Sequence, residues 1–216
     1  MEVDWRALLT RWSAELIAAD EAEGEPLPPE VVASGWLGYP GATEAQLSAA
    51  EARLGVRLPP SYRQFLAVTN GWRHTGTFID RLWPAEEIDW FRVRNQDWID
   101  AYTDPADDAP VPLSDAAYRV YGDEQSSVTF RSADLQAALE ISDVGDSAIL
   151  LLNPRVVTPD GEWEAWFFAN WLPGATRHPS FRALMADEQA SFRRLVEQRR
   201  QRGRQTGGWR RWIGRR

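Results

Sequence analysis

Apolar residues near the start of the chain recur at spacings of three and four. Trp5, Leu8, Leu9, Trp12 and Leu16 form one stripe, with Asp4, Arg6, Arg11 and Glu15 off it. That period predicts an amphipathic helix over residues 2–21. One glycine and three prolines in residues 23–29 break the pattern, as a linker or extended arm would. Residues 31–37 are short and apolar, and Gly38-Tyr39-Pro40-Gly41 is a turn.

Local signals then sharpen. Thr43-Glu44-Ala45-Gln46 has the spacing of a capping box, in which a threonine hydroxyl and a glutamine side chain satisfy each other's backbone amides. Leu47, Ala50 and Leu54 share the face of the helix that follows, and Gly55 suits the left-handed residue that ends it. Leu58 precedes Pro59 and is therefore extended. Pro60-Ser61 opens a second helix whose inner face is Tyr62, Phe65, Leu66 and Thr69, and Asn70-Gly71 closes it.

Beyond Gly71 the pattern predicts strands and loops. Residues 77–79 and 126–130 have strand composition, and residues 148–152 form an unbroken apolar run suited to a central strand. Thr158-Pro159-Asp160-Gly161 separates residues 156–157 from the Trp-rich run 163–169, which predicts a hairpin. Residues 104–112, with three aspartates and three prolines, read as a loop. A last helix starts near Ser180, with Phe181, Leu184, Met185, Phe192, Leu195 and Val196 on one side.

At 216 residues with 44% hydrophobic and 26% charged residues, the chain is long enough for one real core and too apolar for wholesale disorder. The expected organisation is an N-terminal helix and linker (1–29), one mixed α+β domain (30–197) and a basic tail (198–216). No cysteine is present, which excludes disulfides and thiolate chemistry, and two histidines are too few for a multi-histidine metal site. No apolar run reaches membrane-spanning length and no secretory pattern opens the chain, so a soluble cytoplasmic protein is expected.

Charge changes the picture more than composition does. Every basic residue is arginine. Residues 193–216 hold ten arginines and one acid, so within a chain of net −8 they carry +9 and residues 1–192 carry −17. Such a body repels nucleic acid and attracts basic partners.

Thr43-Glu44, Leu47, Glu51, Leu54-Gly55, Leu58-Pro59-Pro60-Ser61-Tyr62, Phe65-Leu66 and Asn70-Gly71 together resemble the opening signature of the SUKH superfamily. This Smi–Knr group includes a fungal cell-wall regulator and bacterial immunity proteins. Asp143-Val144-Gly145-Asp146, the Asn153-Pro154 exit, the tryptophan-rich strand and Ser180-Phe181 extend the resemblance over about residues 35–196. It implies an α+β fold with one largely antiparallel sheet packed against helices. It also implies a cytoplasmic immunity protein that binds a cognate toxin and blocks it. No catalytic residue and no cofactor come with it; the matched Leu54, Gly55, Leu58, Pro59, Tyr62, Phe65, Leu66, Asn70 and Gly71 read as fold-specifying. The lysine-free, arginine-rich composition suggests a GC-rich bacterial genome.

Candidate binding residues follow from residue type. Trp83, Trp90 and Trp98 stand among Glu86, Glu87, Asp89, Asp97 and Asp100, where a core role and an interface role are both open. With Asp107, Asp108, Asp123 and Glu124 they form the expected contact surface for a basic toxin, combining steering with aromatic anchors. Trp163 and Trp166 read as core. The pairs Glu86/Glu87, Asp107/Asp108, Asp123/Glu124 and Glu162/Glu164 would suit a hydrolase or a metal, but in an acidic chain they read as solvated faces. His74 and His178 read as surface or capping residues. Gly203, Gly207 and Gly208 in the Arg/Trp-rich tail disfavour a continuous helix, and its cations and indoles suit nucleic acid, an anionic membrane, its own acidic body, or no partner at all.

Overall fold

In a computed structural model, residues 4–23, 27–73, 75–76, 78–103, 114–126, 128 and 130–213 are described, with backbone alone for 20–23 and 203–213. Five strands form one antiparallel sheet: β1 (Asp89–Trp90), β2 (Leu139–Glu140), β3 (Ala148–Val157), β4 (Trp163–Ala169) and β5 (Ala175–His178). They lie side by side in chain order, a meander. The β3–β4 pair is the predicted hairpin, and its ladder shifts register between Asn153 and Val157.

Strand alternation splits the core in two. Leu150, Leu152, Ala165 and Phe167 face one side of the sheet, and Ile149, Leu151, Trp166 and Phe168 face the other. Both sides are covered, which is why residues 148–152 read as continuously apolar.

The first face carries helices α1 (Trp5–Glu23), α3 (Glu44–Leu54), α4 (Pro60–Val68) and α8 (Phe181–Ile213). Trp5, Leu9, Trp12 and Leu16 of α1 are buried in the same core as the α3 and α4 residues. The Trp5 ring lies 5.6 Å from both Phe65 and Phe181, and Trp12 lies 6.4 Å from Trp72. Helix α1 is thus part of the packed unit. The Ser13 hydroxyl accepts the Leu37 N–H at 3.1 Å, and Glu15 pairs with Arg193 of α8 at 2.6 Å. Between them, α2 (Pro29–Ser34) takes the first part of the apolar segment predicted over 31–37.

The second face is closed by short pieces: α5 (Phe91–Arg94), α6 (Gln96–Thr103), α7 (Asp115–Tyr118) and a 3₁₀ segment, Ser132–Ala137. Sequence patterning missed α5 and α6, because each is too short to display a repeat.

Two strand expectations fail. Among the described residues of 77–79 and 126–130 none is in a strand. Instead Leu82 bridges Trp72 and Ser142 singly, and Ile79 accepts the Thr75 N–H. The tail expectation fails as well, since α8 runs on to Ile213 through Gly203, Gly207 and Gly208. Glycine weakens a helix by about 1 kcal/mol relative to alanine without forbidding its geometry, and arginines at the carbonyl end complement the helix dipole.

Candidate protein-binding site

The signature residues act first as fold devices. Thr43 and Gln46 form the predicted capping box, and Gly55 is left-handed at φ 72°. Leu54, Leu58, Pro59, Tyr62, Phe65 and Leu66 are all buried. The Glu51 carboxylate accepts the Leu58 N–H at 3.0 Å and Arg63 Nε at 3.2 Å, so it holds the α3–α4 bridge in place. Asn70 does more than end a helix. Its Oδ1 accepts the Ala85 N–H at 2.8 Å and its Nδ2 donates to Glu86 at 2.9 Å, latching the 85–87 turn to α4. At Gly71 (φ 98°) any Cβ would lie 3.0 Å from the Leu82 carbonyl oxygen.

The expected contact residues separate into three groups. Around β1, Trp83 is 9% exposed and carries the Arg94 guanidinium 4.1 Å over its ring. Trp90 is half-buried with Arg92 beside it, and the Asp89 carboxylate accepts the Trp90 N–H. Glu86 and Glu87 are exposed, yet both already have partners: Gln46 and Asn70 for Glu86, Arg81 at 2.6 Å for Glu87. The Asn70 amide holds the Glu86 carboxyl below its ordinary range. Trp98 belongs to the second face, where it packs edge-on to Phe91 and Phe168. Asp123 and Glu124 are exposed on a 3₁₀ turn beside β5, fixed by Gln125, whose Oε1 accepts the Arg177 N–H. Between β1 and β5 lie four inter-strand steps, about 19 Å. Asp107 and Asp108 lie outside the described residues, as does His74.

The paired carboxylates contain a correction. Glu162 and Glu164 are buried rather than solvated. Glu162 accepts the Ser61 N–H at 2.9 Å and the Ser61 hydroxyl at 2.7 Å, sitting at the start of α4. Glu164 turns to the second face and is the hub of a polar cluster. It accepts Trp166 Nε1 (2.7 Å), the Tyr118 and Tyr121 hydroxyls (3.0 and 3.2 Å), Asn153 Nδ2 (3.3 Å) and Arg177 Nη1 (3.3 Å). Arg177, 1% exposed, also donates to the Tyr118 and Val120 carbonyls and lies over the Tyr118 ring. Burial and the Glu164 charge push the Tyr121 hydroxyl up to about 12.

Two carboxylates filled by donors on opposite sides of a sheet leave no pair to share a proton or flank a substrate. Glu164 is a tie that fastens residues 118–121 to the sheet. Nothing in the sequence marked it, because a strand glutamate in a hairpin looks solvent-facing until its partners, far along the chain, are placed.

His178 is likewise buried, not on the surface; burial holds its imidazole below the ordinary value against the pull of Asp187, 4.0 Å away. Glu140 on β2 is buried too, and burial pushes its carboxyl up to about 7 despite Arg94 at 3.7 Å and Asn95 at 2.6 Å. Among the described residues no three His, Asp or Glu side chains are arranged to hold a metal ion, and no helix is long and apolar enough to cross a membrane.

No curated protein and no solved structure matches the chain. A family model does: that of the SMI1 / KNR4 family (SUKH-1), over residues 41–192. That span takes in the capping box, the Glu51 and Asn70 latches, all five strands and the first turns of α8, and it leaves out α1. The chain belongs to the SMI1 / KNR4 (SUKH-1) family.

Proposed function

We propose that the chain is an immunity protein that binds a cognate bacterial toxin carrying a basic surface and neutralises it by occlusion, stoichiometrically and without chemistry. The observation that carries this reading is membership of SUKH-1 across residues 41–192, a family with bacterial immunity proteins in it. Charge supports it: a body of net −17 speeds encounter with a basic protein. The buried glutamates described above are occupied by internal donors, which leaves them poorly suited to catalysis.

The contact surface is the one expected from sequence, narrowed by exposure. Glu86, Glu87, Asp123 and Glu124 meet solvent, whereas Trp83 and Trp98 support the surface from within. Edges about 19 Å apart fit under one interface of about 800 Å² per partner, roughly 30 Å across. The test is co-expression with the product of the adjacent gene. Rescue of growth with a co-purifying complex is the expected result; a harmless neighbour that does not bind would overturn the reading.

A second reading is a regulatory scaffold that binds a cellular protein. What favours it is α8, which continues past Val196 as a helix exposed at residues 197–202 and rich in arginine. That tail would contact nucleic acid or a membrane, and retention of the full chain on heparin at 0.15 M salt, lost on deleting residues 198–216, would support it.

A further inference from the structure

One cavity lies away from every residue assigned so far. It has a volume of about 150 Å³ and sits between the β4–β5 connection and the first turns of α8. Three aromatic rings wall it in a mutual triangle. Phe78 is 6.0 Å from Phe167 and 5.5 Å from Trp171, and Phe167 is 5.8 Å from Trp171. Trp171 is 50% exposed, although large aromatic surface is ordinarily buried. Asp187 and Glu188 of α8 line the opposite side, with Leu172, Thr176 and Ser191 filling the rest.

The wall is held, not incidental. Trp171 Nε1 donates to the Asp146 carbonyl at 3.2 Å. Asp146 and Ser147 are both left-handed, at φ 43° and 59°, as the centre of a tight primed turn requires. Gly145 opens that turn, and a Cβ there would lie 2.5 Å from the Phe78 carbonyl oxygen. The Asp143-Val144-Gly145-Asp146 motif therefore positions two of the three rings.

Among the described residues the two carboxylates are under-compensated. Glu188 Oε2 accepts the Thr75 hydroxyl at 3.1 Å, and burial with Asp187 alongside pushes the Glu188 carboxyl up to about 7. Asp187 has Arg194 and His178 at 3.9 and 4.0 Å, the outer limit of ion pairing. The volume is well below the 300–1,000 Å³ of a cofactor or drug-sized pocket and suits a single side chain. An anion would be repelled, and an apolar group would leave the half-buried Glu188 carboxylate without a counter-charge among the described residues. A cation flanked by ring faces satisfies both walls.

We infer that the pocket between Phe78, Phe167, Trp171, Asp187 and Glu188 receives an arginine or lysine side chain from the partner protein. The inference rests on the reading of the chain as a binder of a basic protein and gives that partner an anchor, a buried cation at the edge of the β4–β5 connection. Such anchors dominate interfaces when they are enclosed and desolvated.

The test uses the full chain and the indole N–H resonance of Trp171, assigned by its loss in Trp171→Ala. Titration with N-acetyl-arginine amide should shift it saturably, and the neutral N-acetyl-citrulline amide should not. Glu188→Gln should weaken the arginine interaction about tenfold. An unmoved resonance, or equal shifts with citrulline, would overturn the assignment.

In the toxin complex, Trp171→Ala should raise Kd about tenfold with the fold intact by circular dichroism. Toxin binding that is unchanged in both variants sinks the pocket and leaves immunity standing. Arginine amide binding without any toxin binding sinks immunity and leaves the pocket.

Discussion

The two faces of the sheet are built on different principles. The first face is closed by helices with an apolar stripe, and several of its aromatic polar atoms are left over. Trp5, Trp12, Trp72 and Trp83 N–H groups and the Tyr62 hydroxyl are buried there, and among the described residues none has a hydrogen-bond partner. The second face is closed by pieces of four to eight residues, too short to be stable alone, and apart from the buried Arg177 Nε its polar cluster is hydrogen-bonded. There Tyr118, Tyr121, Trp166 and Arg177 converge on one carboxylate. Area burial suffices where elements are long. Where they are short, a charged hub fixes their position.

The largest test of that contrast is Trp12→Ala. A fully buried indole on the first face should cost up to about 5 kcal/mol in urea unfolding, although α1 lies outside the span that defines the family. A loss below about 1 kcal/mol would make α1 an appendage. Glu164→Gln comes next, at about 3 kcal/mol, because it strands the Arg177 charge in the interior. Adding Arg177→Met to Glu164→Gln removes the stranded charge while the amide oxygen still accepts from Trp166 and the tyrosines, and should recover part of that loss; failure to recover any would show that packing and hydrogen bonds, not charge, set the cost.

The tyrosines make a sharper pair. Tyr118→Phe removes a bonded hydroxyl and should cost about 1–2 kcal/mol, whereas Tyr62→Phe removes an unpaired one and should be neutral or stabilising. Equal losses would erase the distinction between the faces.

Acidity gives a smaller effect of opposite sign to the usual carboxylate. Folded Glu140 holds its proton up to about pH 7, while unfolded it releases it near 4.5. The folded chain therefore binds more protons in that window, and stability falls as pH rises from 4.5 to 7. Glu140→Gln should flatten the decline by about 1 kcal/mol, read from urea midpoints at pH 5 and 7.5. A steeper decline would contradict the assignment. Smallest of all, deleting residues 198–216 should move Tm by less than about 2 °C, since among the described side chains Phe192 and Val196 are the last of α8 packed against the core.

How much of this was legible follows the same division. The Trp5–Leu16 stripe, the Thr43–Gln46 capping box and the turn at Gly161 are local patterns, and each formed as read. Membership of the family was legible for the same reason, since its signature lies in two adjacent helices and their bridge. The second face was opaque. Residues 91–103 carry two short helices with no periodic stripe between them. Glu164 and Glu140 look like surface acids until Arg177, Tyr118 and Asn95, tens of residues away, are brought to them. The proposed contact surface was legible as composition only; acids and indoles share the 83–98 segment, but Glu86 and Glu87 are exposed while Trp83 is buried and Trp98 half-buried.

In the function proposed above, an acidic body captures a basic protein partner. The most direct test of that proposal is the association rate of the purified chain with whichever protein co-purifies from co-expression with the adjacent gene, measured by stopped flow from 20 to 500 mM NaCl. The on-rate should fall tenfold or more as salt rises while the off-rate stays nearly constant. An on-rate indifferent to salt would contradict it.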